Sequence, residues 1–167
     1  MEIKNRNIII TGASSGIGKQ LSIDLAKQGA NIILLSRKIN NLKKVLKEVS
    51  KYNKSSSYYK CDVSKEKYVN KVFKKVIRKY KYIDILVNNA GFGIYKEFKD
   101  IKTKDVKDIL NTNYFGLIYC TKAVLPLMLK QKNGMIVNIA SVAGKSGYPG
   151  GSIYSASKFA VVGLSEA

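Results

Sequence analysis

A doubly wound α/β domain with a parallel sheet is what this sequence predicts, and three observations predict it. Short apolar runs alternate with longer segments of helical periodicity along residues 1–167, with no linker, repeat or low-complexity tract to divide them. The stretch Thr11-Gly-Ala-Ser-Ser-Gly-Ile-Gly18 follows the first apolar run and opens the first helical pattern, so it reads as strand, glycine turn and helix. Polar and glycine residues gather after the later apolar runs, where an open parallel sheet presents the carboxyl ends of its strands to a ligand. One domain accounts for the whole chain.

Taken in order, strands are expected near 7–11, 31–36, 57–60, 83–87 and 135–140, where Ile, Val, Leu and Tyr are concentrated. Helices are expected near 16–28, 40–52, 65–80, 104–131 and from 152 to the end. Ile17, Leu21 and Leu25 set the period of the first helix. Val72, Phe73, Val76 and Ile77 set that of the third, alternating with Lys71, Lys74, Lys75, Arg78 and Lys79 on the other side. Asn113 interrupts the apolar stripe Val106, Ile109, Leu110, Leu117, Thr121 and Val124 of the fourth, so a helix would bury its amide, which must then be satisfied.

The chemistry is concentrated in a few places. Tyr154-Ser-Ala-Ser-Lys158 puts a phenol and an ammonium one helical turn apart on one face, and a cation close to a phenol favours the phenolate, which makes an acid/base pair. Ser141 ends the apolar run before that helix, where a strand delivers its hydroxyl to the same place. Gly12, Gly16 and Gly18 permit positive φ and close backbone approach, and the helix N-terminus beside them offers unpaired N–H groups to a pyrophosphate. The spacing is not that of the common G-x-G-x-x-G fingerprint.

Thr11 to Gly18, Asn88-Asn-Ala-Gly91, Asn113, Ser141 and the Tyr154/Lys158 pair agree in order and spacing with one family, and the chain resembles the short-chain dehydrogenases/reductases from Ile8 onward. The resemblance implies a Rossmann-like sheet in the order 3-2-1-4-5. Members of that family are longer, so two further strands and most of a substrate lid are expected to be absent from these 167 residues. The resemblance also implies catalysis by Asn113, Ser141, Tyr154 and Lys158. Cofactor binding is implied for Gly12, Ser14, Ser15, Gly16, Ile17 and Gly18 of the turn, for Asp62 and Val63 at the adenine, for Asn89, Ala90 and Gly91 along the cleft, and for Tyr154 and Lys158 themselves. Asn113, in Asn-x-x-Gly116, is expected to interrupt its helix and join a proton relay to the lysine.

Ser36 and Arg37, with Lys38 beside them, end the second strand. An acidic residue there would accept from a ribose 2′-hydroxyl and repel a 2′-phosphate, whereas this chain offers donors and positive charge, which favours NADP(H) over NAD(H). The implied activity is hydride transfer between NADP(H) and a carbonyl/secondary alcohol pair, on a substrate such as a lipid-like ketone or a 3-oxoacyl thioester. Two alternatives stand beside it: a nucleotide-binding protein without catalysis, and a basic module that binds polyanions.

Composition narrows the choice. A hydrophobic content of 46% argues against disorder, no apolar run reaches the length of a membrane-spanning helix, and no signal-peptide pattern precedes the first strand, so the cytoplasm is the expected location. Cys61 and Cys120 lack metal-ligand spacing, histidine is absent, and both thiols read as buried. Thirty Lys and Arg against eleven Asp and Glu give a formal charge of +19, which predicts nonspecific polyanion binding at low salt. The joint abundance of Lys, Asn, Ile and Tyr fits a codon bias toward A and T, and no nucleic-acid-binding motif is present, so no specific nucleic acid is expected. The complete form is expected to be a homo-oligomer. The 167 residues alone are expected to be poorly stable and essentially inactive, because an apolar strand edge and a cleft without its lid are left open.

Overall fold

The computed structural model describes residues 2–167. Its strands are β1 (Asn7–Thr11), β2 (Asn31–Ser36), β3 (Ser57–Lys60), β4 (Ile85–Asn88) and β5 (Met135–Asn138), all parallel and ordered β3-β2-β1-β4-β5. Its helices are α1 (Gly16–Lys27), α2 (Ile39–Val49), α3 (Glu66–Tyr80), α4 (Thr103–Leu110), α5 (Gly116–Gln131) and α6 (Ser152–Glu166), with a π-helical segment, Asn111–Phe115, joining α4 to α5. The bounds expected for β1, β2 and β3 are those observed. Among the described residues no helix is long and apolar enough to cross a membrane.

Strand side chains alternate between two layers, because successive residues of a strand point to opposite faces of the sheet. Ile9, Ile33, Leu35 and Leu86 pack with α3 and α5, while Ile8, Ile10, Ile32, Leu34, Ile85 and Val87 pack with α1 and α2. Central strands covered on both faces read as continuous apolar runs, as in Ile8, Ile9 and Ile10, all fully buried. Helix α3 buries Val69, Val72, Phe73 and Val76 and turns its lysines outward. Helix α6 contributes no residue to either apolar cluster.

Four of the expected elements differ from the structure by more than one residue. Strand β4 begins at Ile85 rather than 83, because the side chain of Gln131 takes the backbone of Ile83: Ile83 N donates to Gln131 Oε1 at 3.0 Å and Gln131 Nε2 donates to Ile83 O at 2.9 Å. Asp84 then uses its carboxylate to accept from Arg6 Nη1 at 2.6 Å and from Asn7 N at 2.8 Å. Strand β5 stops at Asn138 rather than 140, since the carbonyl of Ile139 accepts from Lys158 Nζ at 2.7 Å instead of from a neighbouring strand. The helix placed over 104–131 is interrupted by the π-helical segment at Asn113, the interruption the resemblance implied, and the one expected over 40–52 ends at Val49, followed by turns through Asn53.

Candidate active site

The carboxyl ends of the strands are stitched together by Thr11, a buried residue the sequence reading left without a role. Its Oγ1 donates to Val87 O at 3.3 Å and accepts from the amides of Asn89 and Ala90, both at 3.0 Å, so β1 and the loop after β4 are fixed to each other. Asn89 Nδ2 adds a bond to Thr11 O at 2.9 Å. Asn88 ties the next strand, its Nδ2 donating to Asn138 Oδ1 and to Thr121 Oγ1 on α5.

The glycine turn closes over this platform. Gly12 (φ 66°) and Gly16 (φ 54°) occupy the left-handed region that side chains disfavour. Gly18 is required for a different reason: a Cβ there would lie 2.5 Å from Asn89 Nδ2 and 2.7 Å from Gly12 O, so α1 sits directly on the turn only because the position is bare. Ser15 is the N-cap of α1 but makes no side-chain cap bond, leaving the first-turn amides free to meet an anion. The Ser14 and Ser36 hydroxyls lie 2.8 Å apart and bridge the turn to the end of β2, where Arg37 is exposed and makes no ion pair among the described residues.

A cleft of about 570 Å³ runs along these ends from Ser36, Arg37 and Lys38 to Tyr154 and Lys158. Of the residues expected to bind a cofactor, Gly12, Ser14, Ser15, Gly16, Ile17, Ser36, Arg37, Val63, Asn89, Ala90, Gly91, Tyr154 and Lys158 line it. Gly18 lies beneath the turn. Asp62 is not in the lining; its Oδ1 accepts from the backbone and hydroxyl of Ser64, a turn role, while Oδ2 has no hydrogen-bond partner among the described residues. Cys61 is in the wall, and burial, with Asp62 next to it, pushes its thiol up to about 12, so it stays protonated. Cys120 is buried too, as expected.

At the far end of the cleft, Lys158 is nearly buried beside the phenol of Tyr154, its Nζ 5.8 Å from the ring centroid. Burial pulls the Lys158 ammonium below the usual lysine range, and its bond to Ile139 O holds it in place. Asn113 sits in the π-helical segment and is fully engaged: Oδ1 accepts from Phe92 N at 3.0 Å, and Nδ2 donates to Phe92 O at 2.9 Å and to Ser157 Oγ at 3.0 Å. Asn113 and Lys158 meet at Gly91, where a Cβ would lie 3.1 Å from Asn113 Oδ1 and 3.8 Å from Lys158 Nζ. Gly116 completes the Asn-x-x-Gly spacing by letting α5 approach Val63, whose Cγ2 a Cβ would meet at 2.9 Å. Ser141 follows the lining residues Ile139 and Ala140 directly, and its Oγ accepts from Ala143 N at 3.2 Å.

Aromatic rings beside Tyr154 complete the site. Tyr95 lies edge-on to Tyr154, with ring centroids 5.9 Å apart, and stacks on Tyr148 at 6.4 Å. Gly93 seats both rings, since a Cβ there would lie 2.9 Å from Tyr95 and 3.2 Å from Tyr154. The loops that carry Tyr95 and Tyr148 are joined by Lys96 N donating to Gly150 O at 2.9 Å. Nothing in the sequence singled out Tyr95 among eleven tyrosines. Ser157 was legible, standing three residues after Tyr154 and so on the same helix face.

The sheet order, the glycine turn and this cleft define a dinucleotide-binding oxidoreductase fold of one particular kind. Residues 6–167 match the short chain dehydrogenase family, and the chain belongs to it. It is 37% identical to the 3-oxoacyl-[acyl-carrier-protein] reductase of Thermotoga maritima over 166 residues, which cover 99% of this chain and 68% of that protein. Among solved structures it is similar to a metagenomic short-chain oxidoreductase in complex with NADP (29% identity, TM-score 0.93, 98% of this chain and 75% of that one). It is also similar to NAD+-bound xylitol dehydrogenase (34% identity, TM-score 0.95, 99% and 64%). The chain spans about two thirds of the length of the curated relatives it matches.

Proposed function

We propose that the protein of which these residues form the cofactor half is an NADP(H)-dependent oxidoreductase that interconverts a carbonyl and a secondary alcohol. The observation that carries this reading is the burial of Lys158 beside Tyr154 at one end of a cleft whose other end is a glycine turn and an uncapped helix N-terminus. The cradle fits a dinucleotide: the turn packs tightly against Asn89 because Gly12 and Gly18 are bare, and the free first-turn amides of α1 suit a pyrophosphate. Arg37 and Lys38 would hold a 2′-phosphate, and Lys158 the ribose at the other end. When bound, the nicotinamide supplies or accepts the hydride.

The chain's own groups then move the proton. The Tyr154 hydroxyl donates to the oxygen of the carbonyl as it becomes an alcohol, or takes that proton in the reverse direction. Ser141 orients the same oxygen by hydrogen bonding, and Lys158 keeps positive charge beside the phenol in a site where burial strengthens the interaction. Asn113 holds the loop at Phe92 and the hydroxyl of Ser157, and so positions the helix that carries Lys158. Among substrates, a 3-oxoacyl thioester or a lipid-like ketone agrees with the apolar ring faces of Tyr95 and Tyr148 and with the reductase relative.

The test is NADPH oxidation with a panel of carbonyl compounds by the chain extended through its downstream sequence, against the Tyr154→Phe variant. Loss of turnover by about 100-fold or more, with NADPH affinity within a few-fold, is expected for a proton donor. A variant that keeps most of the rate would make Tyr154 a packing residue.

A further inference from the structure

Positive charge is concentrated at one end of this molecule. Residues 37–81 hold sixteen Lys and Arg against three Asp and Glu, a net +13 of the chain's +19, while the other 122 residues hold fourteen against eight. All sixteen cations are exposed, and none forms an ion pair among the described residues. Elsewhere seven of the fourteen are paired. None of the three acids is ion-paired with a cation of this end among the described residues: Glu48 is taken by Lys19 from outside it at 2.7 Å, Asp62 accepts from Ser64, and Glu66 stands in the first turn of α3, where it complements the helix dipole. A chain-wide drift toward lysine codons gives no reason for this asymmetry.

The fold turns the sequence asymmetry into a surface. Helices α2 and α3 pack on opposite faces of the sheet and flank β3, its edge strand. Cations therefore run from Lys43 and Lys47 on one face, past Lys60 at the end of the edge strand, to Lys71, Lys74 and Lys75 on the other. Tyr52 and Tyr68 stand among them, 52% and 60% exposed. A flat bilayer reaches one side of such an edge, whereas a flexible polyanion can follow it around both. Exposed phenol rings give stacking faces that bases use and an acidic peptide does not.

We propose that this end binds single-stranded nucleic acid through its phosphates, without base readout, Tyr52 and Tyr68 providing stacking platforms. The site is separate from the cleft except where Arg37 and Lys38 border it, and it stands whether or not the oxidoreductase reading does.

The experiment measures binding of a fluorescein-labelled thymidylate strand of about twenty nucleotides to the 167-residue chain across a salt series. Two variants with equal loss of charge are compared: Lys71, Lys74, Lys75 and Lys79 on α3 changed to Gln, and Lys107, Lys122, Lys130 and Lys132 elsewhere changed to Gln. The α3 variant is expected to lose about tenfold or more in affinity and to lower the log–log salt slope by about 2 to 3, the control much less. Equal losses would show a response to net charge alone and overturn the proposal. So would equal or tighter binding of polyglutamate or of phosphatidylserine vesicles. Photo-crosslinking of the wild-type chain to a bromodeoxyuridine strand is independent of the variants' folding; adducts within residues 37–81 support the site, and adducts spread evenly over the chain overturn it.

Discussion

Lys158 is held where two demands oppose each other. The proposed chemistry needs its charge, while burial disfavours that charge and lowers its pKa from the usual 10.5. Between the lowered folded value and 10.5 the unfolded chain binds the proton that the folded chain has released, so stability rises with pH through that window and the full cost of the charge is felt below it. The unfolding free energy of the wild type relative to Lys158→Met is therefore expected to improve as the pH rises toward 10.5 in denaturant titrations; a flat or falling difference would contradict the burial argument. Arg37 presents the opposite case, an exposed cation with no ion pair among the described residues. Arg37→Asp is expected to weaken NADPH binding by about 2 kcal/mol while leaving NADH nearly unchanged, as read by calorimetry. Arg37 was legible because strand ends can be read from sequence. Tyr95 was not, because nothing local distinguishes a tyrosine that packs on Tyr154 from one that faces solvent.

At the scale of elements, apolar runs located the strands and backbone competition set their ends. Ile83 looks like strand but gives its backbone to Gln131, 48 residues away, a pairing no periodicity reveals. The glycine turn was legible because its requirement is local: positive φ at Gly12 and Gly16 is a property of three or four residues. The need for glycine at 18 is tertiary, set by Asn89 from across the sheet. Gly18→Ala is expected to destabilise the fold by about 1–3 kcal/mol, the range for overpacking a tight contact, and to weaken NADPH binding at the same time. An alanine variant with unchanged stability and affinity would mean that α1 can shift away from the turn without consequence. The interruption at Asn113 came from family resemblance; the residues alone indicated only a buried amide in need of partners, which Phe92 and Ser157 supply.

For the molecule as a whole, the sheet order was implied by resemblance and the two-layer core followed from alternation, while the surface was not legible: charge counts gave +19 but not its gathering around one edge. The placement of α6 has a further consequence. The helix that carries Tyr154 and Lys158 stands outside both apolar clusters: it buries Val161 against its neighbours and is otherwise tied to the rest by Lys158 to Ile139, Ser157 to Asn113, Ser165 to Asn138 and Glu166 to Lys145. Hydrogen bonds and exposed ion pairs contribute about 1 kcal/mol each or less, well below what the interdigitated sheet core supplies. Hydrogen exchange should therefore show two cooperative units, with the amides of α6 opening at lower free energy than those of β1 and β2, and a bound cofactor raising the protection of α6 the most. Uniform protection across α6 and the central strands would show a single unit instead. If two units are seen, this protein would stop reacting under mild stress well before it came apart, and would recover as soon as one helix settled back.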